Sequence, residues 1–568
     1  MENSSDTAGV NRRRFLSTLS GFGLGSVFGS PPSLAQEAPA ADTHGEITAA
    51  TISEAEMLFG LTFTEDERKQ MLGLVKRMPV TFAEFRKVPL PNSVAPALQF
   101  NPLPPGFAFE PEHRPFVSPA GPPPAVPSDL EKAAFWSVAD LGRAIKARAI
   151  TSEALTRMYL ARLKRYDPVL KCVITLTEDL AFKQAQRADA DIAAGKYRSP
   201  LHGIPWGAKD LLAVKGYPTT WGAEPYRDQR FDEDATVARK LEEAGAVLVA
   251  KLSLGALAQG DEWFGGRTNS PWDPKRGSSG SSAGPGAATA GGLVAFAIGS
   301  ETNGSITSPA TVNGVTGLRP TYGRVSRHGA MALSWSMDKL GPLCRTAEDC
   351  AIVLNAIIGP DGKDPMVIDA PFNWDPARGL DSTRVGYVKS AFDEQTSDSG
   401  NGAAALTALR GLGLELREVT LPDYPITDMM LILFVEAAAA FDELTRSDRD
   451  DLLSKQGATD WPNTFRRARL IPAVEYIQAN RIRSLIIQDM ARLFQEVDVI
   501  VLPTMHKLVL GNYTGHPIAS VPSGFNERGA PTSIGIMGRL FGEADLLAVA
   551  KAYQEATGHH LKHPELQA

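Results

Sequence analysis

A segment dense in glycine and serine, near the middle of the chain, restricts the possible folds more than any other feature. Residues 276–284 read Arg-Gly-Ser-Ser-Gly-Ser-Ser-Ala-Gly, and a helical run at 282–290, an apolar strand at 293–298 and a polar segment at 301–309 follow. Glycine admits backbone conformations that other residues avoid, so successive N–H groups can converge on one anionic point. A flexible linker is the alternative, but a linker does not lead directly into a helix and a buried strand. The pattern therefore predicts a structured loop that builds a site.

Helical and strand patterns alternate on both sides of this segment. Short apolar runs predict strands and longer periodic runs predict helices, which is the alternation of an α/β protein. The predicted strands are 172–175, 204–208, 247–250, 293–298, 385–388, 414–419 and 499–502, and the predicted helices are 137–147, 152–166, 180–194, 235–244 and 282–290. We predict one catalytic domain over 131–568, built on a large, mostly parallel mixed sheet covered by helices.

The composition indicates a globular protein that acts on a small molecule. Apolar residues make up 43% and charged residues 22% of the 568 residues, and the net charge of -7 gives no electrostatic reason to expect nucleic acid as a partner. The three cysteines, Cys172, Cys344 and Cys350, form no metal-binding motif, and we expect buried thiols rather than a disulfide scaffold. We therefore predict a small-molecule substrate, no metal and no cofactor.

The first 35 residues have the order of a signal peptide. Three arginines at 12–14 precede Phe15 and Leu16, an uncharged stretch spans 17–30, and small residues stand at 33 and 35. This order is typical of export signals, and twin arginines before Phe-Leu are typical of the Tat class. A basic, disordered N-terminus is the alternative. We predict a periplasmic or secreted protein, with no membrane association after the signal is cleaved.

Two further segments separate this signal from the catalytic domain. Residues 36–100 are predicted to form a small helical segment, in which two short helices fit 53–78. Residues 101–130 contain many prolines, which fix φ and remove backbone donors, so we predict an extended strap.

The glycine- and serine-containing motifs resemble those of the amidase signature family. The family pattern Gly-Gly-Ser-Ser-Gly-Gly is similar to residues 279–284, and its Thr-Asp-x-Gly-Gly-Ser-Ile-Arg-x-Pro-Ala is similar to 300–310. The segments 271–276 and 314–323 also look like the family, and 201–210 resembles its lysine segment. The resemblance covers about residues 134 to 564. It implies the amidase-signature fold and the cleavage of carboxamide bonds.

The resemblance also implies a role for each matched residue. Ungapped alignment puts the nucleophile at Ser305 and a relay serine at Ser281, with Ser278, Ser279 and Ser282 as bystanders. It puts the base at Lys209, which must be neutral to accept a proton and so requires a closed site that is poor in carboxylates. Ser281 is expected on a cis peptide. The implied backbone donors to the oxyanion are Thr302, Asn303 and Gly304.

Three residues depart from the family pattern near the nucleophile. Asn303 stands where the family usually has glycine, Glu301 where it has aspartate and Thr307 where it has arginine. Asparagine tolerates left-handed backbone better than most residues, so the oxyanion loop is expected to survive. The changes at 301 and 307 together predict that a structural ion pair has been replaced.

Several functions fit these features. The leading one is an amidohydrolase that works through an acyl-serine intermediate, and an esterase or carbamate hydrolase could use the same chemistry. An amidotransferase A-subunit-like glutaminase is a second hypothesis, because residues 54–105 faintly resemble the small C subunit of glutamine-dependent tRNA amidotransferases. Export opposes that hypothesis. A non-catalytic amide-binding module is a third, and a homodimer remains open.

Overall fold

The computed structural model describes residues 46–394 and 400–566, which fall into two compact units. The first unit ends at Lys87 and the second begins at Val88. The predicted signal peptide at 1–35 lies outside the described residues.

The first unit contains three helices in its described part, Ala49–Phe59, Glu65–Val75 and Met78–Phe85. Thr64 starts the second helix, because its hydroxyl accepts a hydrogen bond from the Glu67 backbone N–H. The two helices predicted over 53–78 are thus present, and Met78 begins a third. Pro79 explains the break, since proline lacks the N–H that would continue a helix but suits its first turn.

The second unit is built on a large sheet. In chain order the strands of this unit are β1 (Val173–Leu176), β2 (Pro205–Lys209), β3 (Val247–Leu252), β4 (Glu262–Trp263), β5 (Gly266–Arg267), β6 (Phe296–Glu301), β7 (Thr316–Arg319), β8 (Lys339–Cys344), β9 (Val385–Tyr387), β10 (Leu416–Glu418), β11 (Val499–Pro503), β12 (Ile518–Phe525) and β13 (Pro531–Gly538). Among the described residues, eleven of them form one sheet in the order β1-β3-β2-β6-β8-β7-β12-β13-β11-β9-β10, and β4 pairs with β5. Each strand predicted from the sequence is part of the large sheet.

The sheet is mixed, but parallel pairing is confined to two regions. Strands β3, β2 and β6 run parallel, as do β11, β9 and β10. The pairings from β6 through β8, β7, β12 and β13 to β11 are antiparallel. The predicted predominance of parallel pairing is therefore wrong for the centre of the sheet. The four central strands that the sequence did not predict contain residues unusual in strands, among them Pro342, Pro522 and Gly535.

Helices cover the sheet. They are Val138–Lys146, Ser152–Leu170, Glu178–Ala193, Thr236–Glu243, Ala283–Ala290, Thr307–Asn313, Ala347–Ile357, Lys389–Glu394, Asn401–Gly411, Leu431–Ala440, Asp442–Arg446, Trp461–Ala468, Ala473–Glu496, Leu508–Thr514 and Glu543–Thr557. None of the helices in the described part of the chain is both long and apolar enough to cross a bilayer. The three cysteines are buried and free, as expected.

The helix that follows the glycine- and serine-dense segment is entirely buried. All eight residues of Ala283–Ala290 are shielded from solvent, and small side chains let the helix approach the sheet closely. It leads into β6, whose six residues are also buried. The segment between 276 and 284 is thus a fixed loop at the edge of the core, as the sequence predicts, and not a linker.

Candidate active site

Lys209 is the last residue of β2, directly after the strand predicted at 204–208, and it lies among three serines. Its side chain is completely buried. The Nζ atom lies 2.8 Å from Ser281 Oγ, 2.9 Å from Ser300 Oγ and 3.1 Å from Ser282 Oγ. An amine in this position is within reach of a serine proton, which is the first geometric requirement for a general base.

The surroundings of Lys209 favour the neutral amine. Burial holds the pKa of Lys209 well below its usual range, although the negative charges of Asp338 and Glu301 oppose the shift. The adjacent Asp210 is neutralised by a buried ion pair with Lys251 at 2.8 Å. The site is closed, as expected, but it is not poor in carboxylates. The two that act on Lys209 are engaged by other donors.

Ser281 is held on the cis peptide bond Gly280–Ser281, as the resemblance implies. Gly280 is required there, because a Cβ atom would lie 1.7 Å from the carbonyl oxygen of Gly260. The hydroxyl of Ser281 points to Lys209, and the next residue, Ser282, donates its backbone N–H to the carbonyl oxygen of Ser305 at 3.1 Å. This bond joins the two serine-containing loops.

Two further serines have their hydroxyls within hydrogen-bonding distance of Lys209 Nζ, although neither was predicted as a site residue. Ser282, predicted to be a bystander, has its hydroxyl 3.1 Å from Lys209 Nζ, and it also receives the backbone N–H of Ser300 at 3.2 Å. Ser300 was not predicted as a site residue. Ser282 directly follows Ser281 at the start of a helix, and Ser300 lies two residues before Thr302 near the end of β6. Only the packing of these elements brings the two serines to the lysine.

Ser305 lies in the loop between β6 and the helix Thr307–Asn313. Only 8% of the residue is exposed. Gly304 precedes it with φ of +84°, whereas Asn303 is not among the residues with positive φ, so the left-handed conformation falls on the glycine. The substitution at 303 therefore imposes no backbone strain. In the described residues the Ser281 hydroxyl makes no hydrogen bond to that of Ser305.

Glu301 fixes the backbone on the far side of Ser305. Its Oε2 accepts hydrogen bonds of 2.9 Å from the N–H groups of Ile306 and Thr307 and from the Thr307 hydroxyl. Its Oε1 pairs with Arg319 at 2.7 Å, and both side chains are fully buried. Position 307 therefore supplies a hydroxyl to Glu301, where the family has an arginine. The cation that pairs with Glu301 is Arg319. Glu301 therefore has a buried cationic partner other than residue 307.

Asn512 connects this ion pair to the predicted oxyanion loop. Its Nδ2 donates to Glu301 Oε1 at 3.1 Å and to Asn303 Oδ1 at 3.3 Å, and its Oδ1 accepts from Lys339 Nζ at 2.7 Å. Burial would raise the pKa of Glu301, but Arg319 and Lys339 lower it to about 2. The carboxylate is therefore charged throughout the physiological pH range. It binds the backbone after Ser305 directly, and it contacts Asn303 before Ser305 through Asn512.

Asp338 fixes the other end of the predicted oxyanion loop. It accepts a hydrogen bond from the Thr302 hydroxyl, and its second oxygen accepts from the N–H groups of Leu333 and Ser334 at 2.8 and 2.9 Å. Burial raises the pKa of Asp338. The loop of residues 333–338 is thereby joined to the loop that carries Ser305.

A cavity of about 100 Å³ lies beside these two loops, and we call it the first cavity. Its lining includes Ser300, Thr302, Asp338 and Asn92. Asn92 is held in place by two hydrogen bonds to the backbone of Ala332, at 2.7 and 2.8 Å. The first cavity therefore reaches Thr302 in the predicted oxyanion loop, whereas Lys209, Ser281 and Ser305 are not part of its lining. No group of three or more histidine, cysteine or acidic side chains suited to a metal occurs within the described residues.

The chain is similar in sequence to known proteins. A family model described as Amidase matches residues 154–511. The chain belongs to the Amidase family. The A subunit of the glutamyl-tRNA(Gln) amidotransferase of Methylococcus capsulatus is 34% identical over 478 residues, which are 75% of this chain and 98% of that protein. Its counterpart in Roseiflexus sp. is also 34% identical, with 76% of this chain and 98% of that protein covered.

Solved structures with the same fold include a peptide amidase and an amidotransferase subunit. The native peptide amidase of Stenotrophomonas maltophilia has a TM-score of 0.68 and 29% identity, covering 77% of this chain and 100% of that one. The A subunit of the Thermotoga maritima glutamyl-tRNA(Gln) amidotransferase has a TM-score of 0.65 and 25% identity, covering 78% and 100%. The enzyme thus has the amidase-signature fold and acts on amide C–N bonds.

Proposed function

We propose that this enzyme is an amidohydrolase that forms an acyl-enzyme on Ser305, with Ser281 as proton relay and Lys209 as base. The observation that carries the proposal is the contact of 2.8 Å between the fully buried Lys209 amine and Ser281 Oγ. A serine hydroxyl at neutral pH needs such a base, and a desolvated lysine can serve as one. The relay to Ser305 requires the two serine loops to be adjacent, which the Ser282 to Ser305 backbone bond supports.

In the proposed reaction a proton passes from Ser305 through Ser281 to Lys209, and a proton later returns along the same path to the leaving nitrogen. Neutral Lys209 accepts the Ser281 proton as Ser281 accepts that of Ser305, and Ser305 Oγ attacks the carbonyl carbon. The C–N bond then breaks as the proton returns through Ser281 to the leaving nitrogen, which gives the acyl-enzyme and a free amine or ammonia. Water repeats the sequence on the ester and releases the acid.

Backbone N–H groups in the loop before Ser305 are proposed to bind the oxyanion. Thr302, Asn303 and Gly304 are the candidates. Each preorganised donor of this kind is worth about 3 to 4 kcal/mol in acyl transfer. The hydrogen bonds of Asp338 to the Thr302 side chain and of Asn512 to the Asn303 side chain support a fixed loop.

A second candidate function is the release of ammonia from glutamine as part of an amidotransferase. It is favoured by the 34% identity to the A subunit of an amidotransferase over 98% of that protein. The two functions differ in a simple assay of the isolated chain, because an amidohydrolase releases ammonia from small amides such as acetamide without a partner. Hydrolysis that is restricted to glutamine and that requires a partner protein would favour the second function.

The rate at which a fluorophosphonate probe labels Ser305 should rise with pH and then level off. The neutral form of Lys209 is required, and its lowered pKa sets the midpoint well below the ordinary lysine value of 10.5. Below that midpoint the rate should fall about tenfold per pH unit. Mass spectrometry of the labelled peptide identifies the residue, and stopped-time labelling across pH gives the profile.

The variant Lys209→Ala should lose most of the labelling and its pH dependence. Lys215→Ala is a matched control, because Lys215 is exposed and pairs with Asp232 at the surface. Labelling at a serine other than Ser305, or an unchanged pH profile in Lys209→Ala, would refute the proposed mechanism.

We also propose that the protein is exported to the periplasm or outside the cell. The motivation is the sequence of residues 1–35, with Arg12 and Arg13 before an uncharged stretch and small residues at 33 and 35. N-terminal sequencing of protein from the periplasmic fraction should find a start at Gln36. The double change of Arg12 and Arg13 to lysine should leave the protein in the cytoplasm. Full-length protein in the cytoplasm of the unmodified strain would disprove export.

A further inference from the structure

A second cavity, of about 310 Å³, is separate from the reaction site. Its lining shares no residue with that of the first cavity, and it includes none of Lys209, Ser281 and Ser305. Pockets that bind small molecules usually have volumes of about 300 to 1,000 Å³, so this cavity is large enough for a small organic molecule. No step of the proposed reaction uses it.

Two helices that begin beside the catalytic serines end at the second cavity. Ala283–Ala290 starts two residues after Ser281, and Thr307–Asn313 starts two residues after Ser305. The last residue of each helix lines the cavity, and that of the second helix also donates a side-chain N–H to the carbonyl oxygen of Ser278 at 2.8 Å. A ligand in this cavity would therefore contact the far ends of both helices without entering the reaction site.

Aromatic side chains form much of the wall of the second cavity. Phe135, Trp136, Trp272 and His563 all line it. The rings of Phe135 and His563 are stacked, with 3.9 Å between their centres and 11° between their planes. The indole N–H of Trp272 donates to the carbonyl oxygen of Asn313 at 2.8 Å, which fixes that ring. Fixed aromatic rings of this kind suit a flat, apolar group.

Two cations in the lining have no carboxylate partner. Arg345 is 8% exposed, and its guanidinium donates to three backbone carbonyl oxygens at 2.7 to 3.0 Å. No carboxylate of the described chain lies within ion-pair distance of it, and Asp349 acts on its charge from further away. Lys562 is exposed and forms no ion pair with any described residue. A buried cation without an anion beside it is costly, so an anionic ligand is favoured here.

The other polar groups of the lining also favour an anion. Asp140 is the one carboxylate that lines the cavity in the described chain, and it already pairs with Arg143 and accepts from the Ser137 hydroxyl. Burial lowers the pKa of His560, so this lining histidine is neutral at pH 7. Trp136 is partly exposed, and its indole N–H makes no hydrogen bond to any described residue. The cavity therefore offers accessible donors and positive charge.

We propose that the second cavity binds a small aromatic carboxylate, whose ring lies against the aromatic wall and whose carboxylate faces Lys562 and the Trp136 N–H. The fixed rings of Phe135 and Trp272 suit a flat ring, and the two unpaired cations suit a single negative charge. A neutral molecule of the same shape lacks the second interaction. The inference goes beyond the proposed function and does not depend on it, because no catalytic residue lines this cavity.

The binding test uses 2-naphthoate as the probe and 2-naphthalenemethanol as a neutral molecule of similar shape. Isothermal titration calorimetry of the wild-type chain at pH 7 should find one 2-naphthoate per chain, with a Kd about tenfold lower than that of the alcohol. Acetate has the charge without the ring, and its Kd should be at least about tenfold higher than that of 2-naphthoate. Protein labelled with a fluorophosphonate at its nucleophile should bind 2-naphthoate as the unlabelled protein does.

A new negative charge at the cavity tests where the probe binds. Leu561 lines the cavity and is 70% exposed, so Leu561→Glu should repel the carboxylate without disturbing the fold. The Kd for 2-naphthoate should rise about tenfold, while that for the alcohol changes less than about twofold. Leu470→Glu is the matched control, because Leu470 is 57% exposed and absent from the lining. It should change neither Kd.

Removing a positive charge provides the complementary test. Lys562→Ala should raise the Kd for 2-naphthoate about fivefold, whereas Lys183→Ala, an exposed lysine outside the lining, should have no effect. The inference is overturned if 2-naphthoate does not bind, if the alcohol or acetate binds as tightly, or if labelling of the nucleophile abolishes binding. An unchanged Kd in Leu561→Glu or in Lys562→Ala would also overturn it, since the probe would then lie elsewhere.

Discussion

Replacing Ser305 by alanine is expected to lower kcat for amide hydrolysis by about 10⁶-fold, since loss of a serine nucleophile removes the acyl-enzyme route entirely. The residue is almost buried and alanine removes one oxygen atom, so the fold should be unaffected. The residual rate should reflect binding and the oxyanion donors alone. Ammonia release from acetamide under saturating conditions, with the variant at high concentration, measures the effect.

Ser308→Ala provides the comparison for this variant. Ser308 is on the helix that follows Ser305, and its hydroxyl is 2.7 Å from that of Ser279, away from Lys209. Its removal should cost less than about tenfold in kcat, the scale of one ordinary hydrogen bond. A Ser305→Ala enzyme that keeps more than about one hundredth of wild-type kcat would rule out Ser305 as the nucleophile.

The catalytic candidates could be predicted from the sequence because they lie in short, contiguous motifs that resemble those of the amidase signature family. Lys209 ends a strand that reads as a buried apolar run, and Ser281 and Ser305 stand in segments whose glycines have a visible conformational reason. Gly280 leaves room for the Gly260 carbonyl, and Gly304 adopts a positive φ. A contiguous motif of this kind can be matched to a family before the packing that explains its glycines is known.

The partners that hold these residues could not be predicted in the same way. Asp338 is 36 residues from Thr302, and Asn512 is 211 residues from Glu301, so only the pairing of β6 with β8 and the packing of the helix Leu508–Thr514 bring them together. Arg319 lies within a segment that resembles the family, but the resemblance did not show that it pairs with Glu301. The central antiparallel strands were missed because their prolines and glycines are typical of loops.

Breaking the buried ion pair between Glu301 and Arg319 is expected to cause the largest loss of stability of any change proposed at the site. Both side chains are fully buried, and the carboxylate has five hydrogen-bonding contacts, four of them with Ile306, Thr307 and Asn512. Removing one partner of a buried pair leaves an uncompensated charge, which costs about 3 to 5 kcal/mol. Glu301→Gln at neutral pH should therefore lower the free energy of unfolding by that amount.

Part of the acid sensitivity of the wild-type protein should have the same origin, alongside other carboxylates with a lowered pKa such as Asp361 and Asp364. The pKa of Glu301 is lowered from 4.5 to about 2 in the folded protein, so its contribution is present above the unfolded value and is lost as the pH falls towards 2. The difference between the two values corresponds to about 3 kcal/mol. Urea unfolding at pH 7 and pH 3 should show a smaller loss of stability on acidification in Glu301→Gln than in the wild type.

A surface pair calibrates this measurement. Glu243 pairs with Arg239 one helical turn away, and both side chains are about half exposed. Glu243→Gln should change the free energy of unfolding by less than about 1 kcal/mol and leave the acid dependence unaltered. Because Glu301 also holds the N–H groups of Ile306 and Thr307, its replacement should reduce kcat as well as stability. If Glu301→Gln were as stable as the wild type, Arg319 would need another buried anion, and the ion pair could not be what holds the nucleophile loop in place.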